Sequence, residues 1–424
     1  MASKAQSPAV LHFPEGIRYE CQMDASCCRD TWEIRVESEA AERVLAVDWK
    51  SCSSLSARED TPFRRPGRKA RHLLFKRVGD ACSFLDPESG GCRLHAKYGF
   101  EIKPHVCQRF PFRFVEAPDG VYVGFSFGCV SVLNEIGPPV AESREEAVWI
   151  YDHEPEHQQV RLPVRLDEKT PLTWEDYLAL EGALDEILSR RDRPFAERLV
   201  AGHAWLGMLR RMLQVAAVET TPQPVSEVIS FFVEKTRADG FERAFELAGK
   251  PVAHPVLKRM ILGTFLSFRN SLRPRQWRLT TIGRIFVENI RHWARWGSLR
   301  MEPLDKRVPY RLFHPSNEAL AAAETQVLLE RYFRHGIFRK DLILHTDLFW
   351  GYCYFLLTYG MIQYYATGLE AIGEGNPALA VSLVEKYFVH HSNFNQTFLY
   401  HPAVGDTFQY LFKRPNFAHT IAMG

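Results

Sequence analysis

The stretch CQRFPFRFVEAPDGVYVGFSFGC, Cys107 to Cys129, decides how the first third of this chain is read. Pro118-Asp119-Gly120 is a turn sequence, because proline presets φ, aspartate bonds nearby backbone and glycine accepts positive φ. Residues 110–116 and 121–127 flank it with aromatic and β-branched side chains, which predicts an antiparallel hairpin. A cysteine stands just outside each end. Antiparallel pairing would bring these two, twenty-two residues apart, close enough to share a metal.

Working outward, Cys21, Cys27, Cys28, Cys52, Cys82, Cys92, Cys107 and Cys129 all precede residue 130, and only Cys353 lies elsewhere. Thiolates are soft ligands that favour zinc, copper(I) or iron–sulfur clusters, and such sites commonly use four. Adjacent cysteines such as Cys27 and Cys28 rarely bridge each other; they suit a polynuclear centre or two neighbouring metals. The expected metal ligands are Cys21, Cys27, Cys28, Cys82, Cys92, Cys107 and Cys129. Cys52, in a Ser-Cys-Ser-Ser run, and Cys353, among aromatics, read as buried or loop cysteines instead. His95 and His105 lie within three residues of Cys92 and Cys107 and are alternative donors. Met1 to Val10 holds no signal-like apolar run, so the thiols point to metal or redox chemistry and a cytoplasmic protein.

These residues resemble a known family. Cys21-x5-Cys27-Cys28, Cys82-Ser-Phe-Leu-Asp86, Gly91-Cys92-Arg-Leu-His95 and Cys107-Gln-Arg-Phe-Pro111 are similar to the zinc- or iron-chelating cysteine-cluster family. The likeness is greatest to its flagellin lysine N-methylase branch. Phe125-Ser-Phe-Gly-Cys129 is similar to that family's last cysteine. Weaker likeness continues through residues 330–339 and His390-His391-Ser392-Asn393. The resemblance implies an iron–sulfur cluster, with zinc as the alternative. It also implies methyl transfer from S-adenosylmethionine to a lysine ε-amine of a protein acceptor, flagellin being one example. The first cluster departs from the pattern, since Cys21 alone precedes the Cys27-Cys28 pair.

The residues themselves show no common S-adenosylmethionine site. No glycine-rich loop follows a strand, Gly373-Glu-Gly375 reads as a turn between helices, and no C-x3-C-x2-C run is present. Lysine methylation needs a neutral amine, hence a base or a desolvated pocket. Tyr332, Tyr352, Tyr354, Asp347 and Glu330 are candidates, although at helical spacing such residues are more often core.

The fold class expected is α+β: a small cysteine-rich metal-binding module over residues 10–140, a linker over 141–170, and a large all-α domain over 171–424. Extended segments are predicted at 17–22, 31–37 and 71–78, and a short helix at 39–48. Thr173 with Asp176 forms a capping box before Tyr177, Leu180, Leu184, Ile187 and Leu188. Helices follow at about 194–219, 225–248, 254–271, 278–296, 316–335, 346–370 and 377–392. Residues 348–369 carry no charge, long enough to cross a bilayer, but their many tyrosines suit a buried helix. Hydrophobic content of 46%, 25% charged residues and net charge +2 fit an ordinary globular protein. That balance argues against nucleic acid as partner despite basic clusters at 58–77 and 269–295, the latter interleaved with Trp277, Trp293 and Trp296.

Overall fold

The computed structural model describes residues 10–423, apart from 25, 30–33, 68–71, 80, 155–156, 219–222, 250–253, 272–282, 284–285, 288–289, 302–305, 314–315, 345, 391–411 and 413–415. The chain is mixed α and β, with helix predominant and the sheets small. It divides into Met1–Gln158 and Gln159–Gly424.

In the first unit the predicted hairpin forms as Phe112–Ala117 and Gly120–Phe125, paired from Phe112 with Phe125 to Ala117 with Gly120. Gly120 has φ +143, and a Cβ there would stand 2.8 Å from the Val10 carbonyl oxygen. That close approach admits Leu11–His12 as a parallel neighbour. A second sheet orders Arg35–Val36, Leu73–Phe75 and Phe63–Arg64, and a small ribbon pairs Arg77–Val78 with Ala81–Cys82.

Six short helices complete the unit: α1 (Ser26–Arg29), α2 (Ser38–Leu45), α3 (Arg93–Tyr98), α4 (His105–Arg109), α5 (Val130–Leu133) and α6 (Arg144–His153). Val36, Val44, Trp49, Phe63, Phe75, Phe84, Leu94 and Ile102 form a core around which Cys28, Cys92 and Cys107 pack. Two expectations change here. Residues 17–22 form no strand, because their one ladder contact is an isolated bridge from Arg18 to Pro139. The linker expected at 141–170 is largely ordered: α6 buries Ala147, Ile150 and Tyr151 on one face, and the division falls after Gln158.

The second unit is helical but not all-α. Its helices are α7 (Trp174–Leu188), α8 (Phe195–Ala216), α9 (Val225–Ala238), α10 (Glu242–Ala248), α11 (Pro255–Ser271), α12 (Ala323–Phe338), α13 (Leu348–Ala371), α14 (Pro377–Val384) and α15 (Phe417–Ala422). Two hairpins interrupt them, Val164–Asp167 with Thr170–Leu172 and Ser298–Met301 with Lys306–Pro309. Their short strands lack the glycine-bearing turn that betrays a hairpin in sequence.

The α7 capping box is complete, with Thr173 and Asp176 exchanging side-chain-to-backbone bonds. The aromatic segment forms α13, buried on nearly every side against α8, α11, α14 and α15. A Cβ on Gly351 would meet the Leu342 carbonyl oxygen at 1.8 Å, so the chain passes α13 where only glycine fits. Among the described residues no helix is long and apolar enough to cross a membrane.

Two buried histidines give this unit a pH signature. Burial lowers His203 to about 4, reinforced by His419 and Arg210, and burial with Arg259 lowers His292 to about 4. Unfolded histidine takes up its proton near 6.5. Between those values the unfolded chain binds protons that the native one refuses, so stability falls as pH falls. We expect a loss of about 2 kcal/mol for each histidine between pH 7 and 5, most of it below pH 6.5, read as urea midpoints of the helical transition.

Candidate metal centre

The first unit encloses a cavity of ≈ 300 Å³, and Cys21, Cys27, Cys28, Cys82, Cys92, Cys107 and Cys129 all line it. These are the seven cysteines singled out in sequence. Cys52 is buried in the core and Cys353 in α13, and neither reaches the cavity.

Each thiol is placed by local chain chemistry. Cys27 and Cys28 sit on α1, with Sγ atoms 4.0 Å apart. Cys82 ends the small ribbon opposite Arg77. Cys92 stands at the N-terminus of α3, tied to Leu85 by a bridge and followed by Arg93 N–H donating to the Phe84 carbonyl. Cys107 lies within α4, its N–H donating to the Pro104 carbonyl at 2.9 Å. Cys129 follows the hairpin on a turn in which its N–H donates to Ser126 at 3.1 Å. Gly90, at φ +71, lets the segment bearing Cys21 and Met23 close over the turn; a Cβ there would lie 2.2 Å from the Met23 carbonyl oxygen.

Four thiols form an electrostatic quartet. Cys27, Cys82, Cys92 and Cys107 are placed so that every pair among them interacts: ionising one disfavours ionising another. Burial pushes Cys82 up to about 12, Cys129 up to about 11, and Cys92 and Cys107 upward. The Cys27 thiol is pushed up by its hydrogen bond with Cys28, then by burial. Neutral thiols at this depth become thiolates when a cation takes the proton's place.

Among the described residues no three histidine, cysteine, aspartate or glutamate side chains form a ready group for one metal ion. A single tetrahedral ion with metal–sulfur bonds of ~2.3 Å would draw four sulfurs to within roughly 3.8 Å of each other. Seven soft thiols on one cavity are the donor type that a polynuclear iron–sulfur cluster takes.

No family profile, curated protein or solved structure matches this chain.

Of the two histidines considered, His95 lines the cavity and His105 does not. Burial, with the charge of Lys103, lowers the pKa of His95. Sequence reasoning missed Tyr19, Met23, Asp24, Lys103 and Glu146, which also line the cavity. All but Glu146 lie within four residues of a cysteine, the one signal that marked them.

The candidates in the helical half are committed to packing. Tyr332 donates to Glu385 at 3.0 Å, Tyr352 to the Leu199 carbonyl at 3.2 Å, and Tyr354 packs on Phe412. Glu330 accepts from Arg191 and Arg198, and Asp347 directly precedes α13. His391, Ser392 and Asn393 lie outside the described residues, as do Arg68, Lys69, Arg71 and Trp277. Trp293 and Trp296 are exposed, and Arg291 lies 5.6 Å over the Trp296 ring.

Proposed function

We propose that the first unit is a cysteine-rich metal module holding a polynuclear iron–sulfur centre, and that the protein is a protein-lysine N-methylase. The observation that carries the metal reading is the convergence of seven cysteines, from six separate segments, on one cavity. In this reading four of the seven hold the centre, with Cys27, Cys82, Cys92 and Cys107 as the set, since each of them is placed to interact with the other three on the same cavity wall. Cys21, Cys28 and Cys129 remain as further thiols along the wall. When bound, such a centre supplies one-electron chemistry or a Lewis-acid position.

The methylase reading rests on the resemblance of residues 21–129 to the flagellin lysine N-methylase branch. S-adenosylmethionine would be the donor and a protein lysine the acceptor. The acceptor ammonium must lose its proton, and Asp24 and Glu146 are carboxylates on the cavity that can receive it.

The test is anaerobic purification followed by iron, zinc and acid-labile sulfide analysis. The holoprotein is then incubated with methyl-labelled S-adenosylmethionine and a cell extract containing flagellin. Iron with matching sulfide and label on a protein lysine is the expected result. Zinc without sulfide would replace the cluster by a structural site. Iron and sulfide without label would leave a redox protein and end the methylase reading.

A further inference from the structure

The cavity wall carries one lysine or arginine among its described lining residues, Lys103. The turn bearing it is pinned on both sides. Lys103 N–H donates to the Phe100 carbonyl at 3.2 Å, closing the turn before it. Pro104 follows, and its carbonyl accepts from both Cys107 and Gln108, at 2.9 and 3.0 Å. The Gln108 side-chain amide reaches back to the Phe100 and Glu101 carbonyls, at 3.4 and 3.2 Å, and the Glu37 carboxylate accepts from the His105 N–H. Ile102 is anchored in the core.

The side chain is located too. Its ammonium lies 4.4 Å over the Phe100 ring, and Phe100 is itself braced edge-on by His95 and Trp149. Lys103 therefore puts a positive charge on the wall that the seven thiols share. Against it the same wall carries Asp24 and Glu146, so removing the lysine leaves two carboxylates and no lysine or arginine among its described residues.

Resting on the iron–sulfur reading above, we propose that Lys103 is a positioning residue for charge: it offsets the negative charge of the thiolate-bound centre and holds its reduction potential up. The physics is direct. Four thiolates round a cluster carry more negative charge than the metal and sulfide core offsets, and reduction adds one more unit. A nearby cation stabilises the more negative, reduced form more than the oxidised one. Net charge at the cluster is one of the recognised determinants of its potential.

The experiment compares wild type, Lys103→Gln and Lys103→Arg, each purified anaerobically as the full chain. Iron and sulfide per chain are measured first, then the midpoint potential by titration followed in visible absorbance and electron paramagnetic resonance. Lys103→Gln is expected to keep wild-type iron and sulfide and to titrate at a lower potential, with Lys103→Arg returning toward wild type. Loss of the cluster from Lys103→Gln with retention in Lys103→Arg also supports a requirement for charge. An unchanged potential at full cluster content overturns the inference, as does equal loss of cluster from both variants. Absence of iron and sulfide from wild type is a different failure, that of the cluster reading itself, and the inference falls with it.

Discussion

Cys82→Ser and Cys107→Ser are each expected to reduce iron and sulfide per chain to background, while Cys353→Ser keeps both at the wild-type level. Cys82 and Cys107 come from different segments, one at the end of a strand and one inside α4, and both belong to the interacting quartet. Serine is nearly isosteric, so packing is preserved while the soft donor is lost. An alkoxide is unattainable near neutral pH, and a neutral hydroxyl binds iron poorly beside thiolates. Cys353 is buried like Cys82, so it controls for the loss of an interior sulfur.

Cys129→Ser is the sharper discriminator. It lines the cavity but lies outside the quartet, and should retain the cluster. Loss of metal from Cys129→Ser with retention in Cys107→Ser would show that the four ligands were chosen wrongly. Circular dichroism of each variant separates lost ligation from misfolding, which metal removal also promotes because binding and folding are linked.

The hairpin, the capping box and the division between thiols that line the cavity and those that do not were all legible in the residues. Each has a short-range signature. Pro118-Asp119-Gly120 sets a turn, Thr173 and Asp176 sit three apart, and Cys52 lacks the motif context of Cys82 or Cys92. What escaped reading depends on partners distant in sequence. Residues 17–22 form no strand, since the strand beside Gly120–Phe125 is Leu11–His12. The hairpin at Val164–Asp167 turns through Glu168 and Lys169, which carry no turn signal, and so read as linker. Lys103 was invisible because a lone lysine in a loop is ordinarily a solvated charge. Only the folded turn puts it on the cavity. The largest omission lies in the second unit, where the charged Arg339, Lys340 and Glu385 are deeply interior.

Arg339→Met should destabilise the helical unit by about 3–5 kcal/mol while leaving metal content unchanged. Arg339 is 2% exposed and Glu385 0%. The guanidinium donates to Glu385 at 2.6 Å and to Asp341 at 3.0 Å, and Tyr332 donates to the other Glu385 oxygen at 3.0 Å. Burial works against the charge on Arg339, but Asp341 and Glu385 prevail and hold its pKa above the ordinary value.

Removing the guanidinium leaves a carboxylate inside the unit without its main counter-charge, and that isolated charge, rather than the loss of one ion pair, sets the size of the effect. The double variant Arg339→Met, Glu385→Leu tests this. Replacing a buried pair by apolar groups of similar volume is often neutral. The double variant should therefore recover most of the stability lost by the single one, in urea titrations followed by helical circular dichroism. If it is as unstable as Arg339→Met, the cost comes from lost packing around α12 and not from a stranded charge. Iron and sulfide measured on the same samples give the second constraint: the proposed ligands all lie before residue 130, so a loss of metal from Arg339→Met would tie the module's fold to the helical unit.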